Sequence, residues 1–547
     1  MSRDLDELSS GPEPVHALGA TQCRTTCLLA VALLFLAVMV QAEVFYENPV
    51  IPGDHPDPSI IRVGKDYWAT STSSEWGPQF PLLHSTDRVN WELSGSVFPQ
   101  RPAWAIGNFW APEISEFKGR FFVYYVARAR GGPLSVAVAT ADKPSGPYLD
   151  RGPIVAQEDG SIDPVPATNE NGDRYLVWKQ DGNSRGMPTP IWAQRLNDDG
   201  TQLIGPPKEL IRNDAPWEGA LVEGPFILKR GGWFYLFYSG NGCCGEGCKY
   251  ALGVARSRAL LGPWEKNPAN PILSGNQTWK CPGHGSIVTD ERGRYWFLYH
   301  AYSTDGSIYT GREAMLDEVT FGADDWPEIN HGQGPSVRAL SPYGVSQRKA
   351  DIGFSDDFKE RELRAGWQWP QDRVPAYRLE AGHLLLGVGG RTNSLVGAVL
   401  ARPTTTADYV ASTVVETRNL KPGWAVGLCA FGDSHNAMGL AVTRKGLIAW
   451  RRDKGAHRRL AGPQAMPGEK IYLRLTAGRG YRFRLSASTD GDTWKDVGEA
   501  LETKNLPPWD RSVRVALTAG GAPDAEGCFD SFSLQPLTAA SKGQTER

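Results

Sequence analysis

The sequence predicts an all-β protein, a five-bladed β-propeller followed by a β-sandwich. Three observations carry this. An aromatic strand core recurs five times at near-constant spacing. A polar, mostly ionisable residue beside Pro or Gly precedes each copy. After about residue 348 the repeat stops and alternating strands with Gly and Asp turns take over.

The five cores read GKDYWATS, KGRFFVYYVA, NGDRYLVWKQ, GGWFYLFYSG and RGRYWFLYHA. Aligned on Tyr67, Phe121, Tyr175, Phe234 and Tyr295, they are 54, 54, 59 and 61 residues apart. A period of that length holds about four short strands, which is one propeller blade. The stretches SVAVATADKPSGPY and ALGVARSRALLGPW repeat a small-residue strand, a polar turn and a Gly-Pro-aromatic close. Composition agrees: 61 Gly and 40 Pro supply turns, and 19 Trp, 18 Tyr and 19 Phe supply strand cores or flat faces for sugar rings. A net charge of -3 gives no electrostatic reason to expect nucleic acid or an acidic membrane surface as a partner.

The residues ahead of the cores carry the chemistry. Blade one has HPDPSII with Asp57, and blade two has WAPEIS with Glu113. Blade three has GSIDPVP with Asp163, blade four LVEGPFI with Glu223, and blade five CPGHGSIV with His284. Each begins an innermost strand, so four carboxyl groups and an imidazole are expected at one mouth of the central channel. Pro56 and Pro58 are expected to hold Asp57 extended. Crowded like charges raise each other's pKa and destabilise a fold, so such a ring points to function. Glycoside hydrolysis needs one protonated and one ionised carboxyl group across the scissile bond, about 6.5–9.5 Å apart where water attacks directly and the anomer inverts. A third carboxylate can hold the acid's pKa high.

In this order, HPDPSI, WAPEI, SIDP, VEGPFI and PGHGS resemble glycoside hydrolase family 43 over about Asn48 to Ser346. The resemblance implies a five-bladed propeller and an inverting hydrolase that releases β-D-xylose or α-L-arabinofuranose from plant-polysaccharide oligosaccharides. It implies Asp57 as general base, Asp163 as pKa modulator and orienter, and Glu223 as general acid. It places Trp76, Phe109, Trp110, His284 and Arg312 at the substrate, and Glu113 as a structural hydrogen-bond acceptor. No cofactor is required. Calcium or another cation could sit on the propeller axis beside His284, held through water because calcium prefers oxygen ligands. Two other readings are a retaining β-fructosidase-type hydrolase and a non-catalytic carbohydrate-binding propeller. The first lacks its Asn-Asp-Pro-Asn-like nucleophile motif here, and the second would not need the carboxylate set.

Four segments follow. Residues 1–42 read as a signal peptide or membrane anchor, with Arg24 before an apolar run of about 14 residues ending at Ala42. Residues 43–348 form the propeller and 349–537 the sandwich, and 538–547 read as a disordered tail. The sandwich resembles the concanavalin-like domain that follows the propeller in many family 43 β-xylosidases, on its DDF…WQW start and STDGDTW hairpin. Packing against the propeller and binding sugar are both open to it. Export, secreted or periplasmic, suits the cysteines, and membrane contact would need the first segment uncleaved. Cys243, Cys244, Cys248 and Cys281 are expected to form disulfides, with the adjacent pair not joined to each other. Cys429 and Cys528 could bridge or stay free.

Overall fold

The computed structural model describes residues 43–348, 352–387, 394–503 and 506–537. The expected leader at 1–42 and tail at 538–547 lie outside the described residues.

Five four-stranded antiparallel sheets form the first part. Their innermost strands are Ser59–Val63, Trp110–Phe117, Ser161–Thr168, Val222–Arg230 and Trp279–Thr289. Each contacts the next, and the fifth contacts the first, so the sheets close into a propeller. The first described strand seals the ring. Phe45–Glu47 pairs with Arg338–Leu340. The Asn48 side chain then donates to Leu316 O at 3.0 Å and accepts from Leu316 N at 2.9 Å, in blade five.

The aromatic cores are the second strands of the blades. Both of their faces are buried, which explains runs such as FFVYYVA that are apolar without alternation. Phe121, Val123 and Tyr125 pack toward blade one with Phe80 and Phe98. Phe122, Tyr124 and Val126 pack toward blade three with Leu176 and Trp178. Similar clusters fill the other three junctions, and Tyr67 meets Trp296 where blades one and five close. Burying one such ring contributes on the order of 2–3 kcal/mol.

The second part is a sandwich of a nine-stranded and a six-stranded sheet. Alternate residues of each, among them Leu386, Leu473 and Phe529 against Leu400, Leu428 and Leu517, form one core. The sandwich docks on the propeller. Trp369–Pro370 pairs with Trp76–Gly77. Asp54 Oδ2 meets Arg514 Nη1 at 3.1 Å, with both side chains buried. Tyr309 donates its hydroxyl to Thr503 O at 2.7 Å.

Two cysteine expectations change. Cys243 and Cys244 are joined to each other, and Cys248 is joined to Cys281. Cys248 faces Cys281 on the innermost strand of blade five, with Cα atoms 6.1 Å apart, which leaves the adjacent pair only each other. Cys429 and Cys528 are free thiols on different sheets.

Candidate active site

A backbone feature repeats at the channel mouth. Asp57, Ala111, Asp163, Gly224 and His284 have φ of 51, 41, 56, 59 and 38°, all in the left-handed region. Each is followed by Pro58, Pro112, Pro164, Pro225 or Gly285. In blades two to five the pairing slips at this point, so each innermost strand carries a bulge there. Bulges re-aim side chains, and Asp, His and Gly are among the residues that best tolerate left-handed φ. Asp57 is therefore kinked rather than extended as its prolines suggested. The kink turns its carboxylate toward the axis.

This register also corrects the alignment. Glu223 stands one residue before the kink, and Glu113 stands two after it, level with Ser59 and Ser286. Glu113 lies one layer deeper in the channel, beside Ser59. Its desolvating walls push its pKa up to about 8, so it is protonated at neutral pH.

Asp57, Asp163 and Glu223 converge at the mouth, each less than a tenth exposed. Asp57 Oδ1 accepts from Arg312 Nη1 at 3.1 Å and faces His284 Nδ1 at 3.3 Å. Its Oδ2 accepts from Thr72 Oγ1 at 2.7 Å. The same hydroxyl accepts the Ala111 amide at 2.7 Å, tying blade one to blade two. Burial opposes ionisation of Asp57. Arg312 and His284 outweigh it and hold the carboxyl far below the usual range.

His300 lies beneath, fully buried, and its pKa falls to about 4 because burial disfavours the imidazolium. It is neutral, and its Nδ1 accepts the Asp57 amide at 3.0 Å. The 3.2 Å approach of Oδ1 to the same nitrogen is therefore not an ion pair. Tyr250 stacks on His300 with ring centroids 5.7 Å apart.

The opposite side differs. Asp163 Oδ2 accepts the Gly224 amide at 2.9 Å and lies 4.0 Å from His284 Nδ1. Burial, with repulsion from Glu223 and Asp57, pushes Asp163 up to about 7 despite His284 and Lys179. Glu223 Oε2 receives Lys179 Nζ at 2.7 Å. Burial would raise Glu223, but the ammonium overrides it and holds its pKa below the ordinary value.

The sandwich completes the rim. Arg312 Nη2 donates to Asp510 O at 3.1 Å, and the neighbouring Trp509 meets Trp110 edge-on with centroids 5.8 Å apart. Trp509 is 63% exposed, so its face is free for a ligand. Trp110 thus remains a wall residue, whereas two other expected aromatics do not. Trp76 is buried beneath the sandwich, 5.6 Å from Phe431, because the sandwich strand at Trp369 covers it. Phe109 points between blades one and two, 5.9 Å from Phe80.

The donor set beside His284 does not suit a directly bound calcium. Asp57 is engaged by Arg312, Thr72 and His284, and Asp163 by the Gly224 amide. Among the described residues, the one group of three potential ligands that converge is His383, Glu416 and Asp530 in the sandwich. Lys470 Nζ sits there, 3.1 Å from Glu416 and 3.4 Å from Asp530.

A propeller that gathers one carboxyl held far below its usual pKa and, beside a third, one pushed up to about 7 has the parts of a glycosidase. Sequence comparison makes the class specific. Residues 46–327 match the model of the glycosyl hydrolases family 43, and 355–509 match the β-xylosidase C-terminal concanavalin A-like domain. The chain belongs to family 43. A xylosidase/arabinosidase of Humicola insolens is 29% identical over 90% of this chain and 97% of its own length. A β-xylosidase of Bacillus subtilis is 27% identical over 84% and 92%. The solved xylan β-1,4-xylosidase of Bacillus halodurans superposes with a TM-score of 0.77 at 25% identity, covering 90% of this chain and all of that one. These matches favour neither the β-fructosidase-type nor the non-catalytic reading.

Sequence reasoning missed Thr72, Lys179, His300 and Trp509. His300 carried a signal, since it interrupts an otherwise apolar second strand, and Lys179 carried a weaker one, being a buried cation at the end of the apolar run 175–178. Trp509 carried none, because it reaches the site from the other domain.

Proposed function

We propose that the chain is an inverting, exo-acting glycoside hydrolase that releases pentose units, β-D-xylose and/or α-L-arabinofuranose, from plant-polysaccharide oligosaccharides. The observation that carries this is the contrast between Asp57, locked ionised, and the Asp163–Glu223 pair, which keeps a proton to near neutrality.

Asp57 is the base. Its Oδ1 is taken by Arg312 and His284, while Oδ2 accepts only Thr72 among the described residues. Oδ2 retains a lone pair for a water molecule. That water attacks the anomeric carbon and gives its proton to Asp57. Glu223 is the acid. The bond from the anomeric carbon to the leaving oxygen breaks as that oxygen takes the Glu223 proton. Asp163 is the modulator. Its charge and that of Glu223 oppose each other, so the pair shares one proton. A sugar packed over Glu223 removes its remaining water and raises its pKa, which draws the shared proton onto it. Asp163 keeps the Gly224 amide and faces His284 when ionised.

Pentose specificity and exo action rest on two supports. The relatives named above act on xylosides or arabinosides by their descriptions, and the sandwich loop at Trp509 and Asp510 walls off one side of the mouth. A cation beside His284 would be held through water, and no step is routed through it. The protein acts outside the cytoplasm, a reading supported by its two disulfides. A panel of nitrophenyl pentosides and galactosides is expected to show turnover of xyloside, arabinofuranoside or both. Proton NMR of the first product is expected to show the inverted anomer, and a retained anomer would overturn the mechanism.

A further inference from the structure

One buried cation faces the proposed acid. Lys179 Nζ lies 2.7 Å from Glu223 Oε2, 2.9 Å from Asp181 Oδ1 and 3.0 Å from Asn183 Oδ1. An ammonium has three N–H donors, and all three are engaged. Its side chain is 1% exposed. It leaves the second strand of blade three, Arg174–Gln180, and the turn just after that strand supplies Asp181 and Asn183. Lys179 is thus a fixed charge, held from two sides by its own blade and aimed at blade four.

Resting on the reading of Glu223 as acid, we propose that Lys179 is a positioning residue that makes Glu223 a stronger acid. It pins one carboxyl oxygen and leaves the other to face the glycosidic oxygen. When the Glu223 proton passes to the leaving oxygen, the new carboxylate is already opposite the ammonium. Lys179 keeps its own proton throughout, because Glu223 and Asp181 both favour its charged form. The arrangement has a chemical consequence. A strong acid matters most for a leaving group that departs poorly, such as a second sugar, and least for nitrophenolate. The cost is a proton lost at lower pH. Lys179 would therefore tune the enzyme to natural oligosaccharides and to acidic or neutral conditions.

The test uses the full chain and two glycosides of the preferred sugar, one with a nitrophenyl and one with an alkyl leaving group. Lys179→Met removes the charge and keeps the stem. It is expected to move the basic limb of the kcat/KM profile up by about one pH unit or more. It is also expected to lower kcat on the alkyl glycoside about tenfold or more, with a much smaller effect on the nitrophenyl glycoside. Lys179→Arg should restore part of both. If Lys179→Met does not fold, Lys179→Gln, which keeps an amide donor for the turn, reads the same limb. An unmoved limb with equal loss on both substrates would reduce Lys179 to a structural ion pair and overturn the proposal. Glu223→Gln, run in parallel, separates this from failure of the underlying reading. If Glu223→Gln is not selective for the poor leaving group, Glu223 is not the acid. If it is selective and the Lys179 variants leave the limb in place, only the role of Lys179 falls.

Discussion

Asp57 in blade one and Glu223 in blade four come from equivalent strands of one repeat, are almost equally buried and are both lowered by cations, yet only Glu223 has a neighbouring carboxyl that is raised instead. Asp57 meets Arg312 and His284, which outweigh its burial. Glu223 meets Lys179, with a weaker contribution from His284, and shares its space with Asp163. The first arrangement fixes a charge, and the second leaves a proton to be moved. Burial alone would have raised both groups and cations lower both, so the difference lies in the Asp163 carboxyl that stands beside Glu223.

The comparison breaks most sharply at Asp57. Asp57→Asn is expected to lower kcat by about 10³–10⁴-fold, because no other group can take the water's proton. It also leaves Arg312 buried without its counter-ion, which costs about 3–5 kcal/mol of stability while the fold is kept. Steady-state kinetics with denaturant unfolding checks both. A folded variant with near wild-type turnover would remove the base from this side.

Glu223→Gln is expected to cost about 10²–10⁴-fold on a disaccharide and far less on a nitrophenyl glycoside, since only the former needs full acid assistance. For the wild type, activity should fall as pH rises through about 7, where the Asp163–Glu223 pair loses its last proton. Asp57 adds no limb in the accessible range, because it stays ionised.

Asp163→Asn sharpens the contrast through stability. The folded pKa of Asp163 lies near 7, against about 3.9 in the unfolded chain. A raised carboxyl destabilises the fold increasingly as pH climbs from the unfolded to the folded value. The variant should lose activity by about 10²-fold. Relative to wild type, it should also gain on the order of 2–4 kcal/mol between pH 4 and pH 8. Melting curves at the two pH values read this directly, and a gain that does not grow with pH would show Asp163 ionised throughout.

The propeller and this trio were legible because they leave periodic marks. Aromatic cores recur because each second strand is buried on both faces, and a kinked residue followed by Pro or Gly recurs because each innermost strand bulges at the mouth. The exact register was not legible from acidity alone. Glu113 and Glu223 are conspicuous carboxyls, but the structural equivalents of Asp57 in their blades are Ala111 and Gly224. Aligning on the residue before Pro or Gly would have shown this. Trp76 and Phe109 read as platforms because a buried and a sugar-facing aromatic look identical in sequence. Their fate was set by the docked sandwich and by the neighbouring blade. The bond between Cys243 and Cys244 depended on where Cys281 lies, which is a tertiary fact.

The smallest expected effect tests whether the sandwich belongs to the site at all. Trp509 stands edge-on to Trp110 with most of its surface exposed, while its neighbour Asp510 holds Arg312 through a backbone carbonyl. Trp509→Ala keeps that carbonyl, so Arg312 and Asp57 stay in place and the chemical step is untouched. It removes one flat apolar face beside the mouth, worth about 0.5–1.5 kcal/mol of stacking. The expected outcome is a roughly threefold to tenfold rise in KM for oligosaccharides with kcat little changed, and a weaker effect on short aryl glycosides. An equal fall in kcat for every substrate would instead place Trp509 in the support of Arg312. No change at all would make the sandwich a packing domain whose contact with the site ends at Asp510.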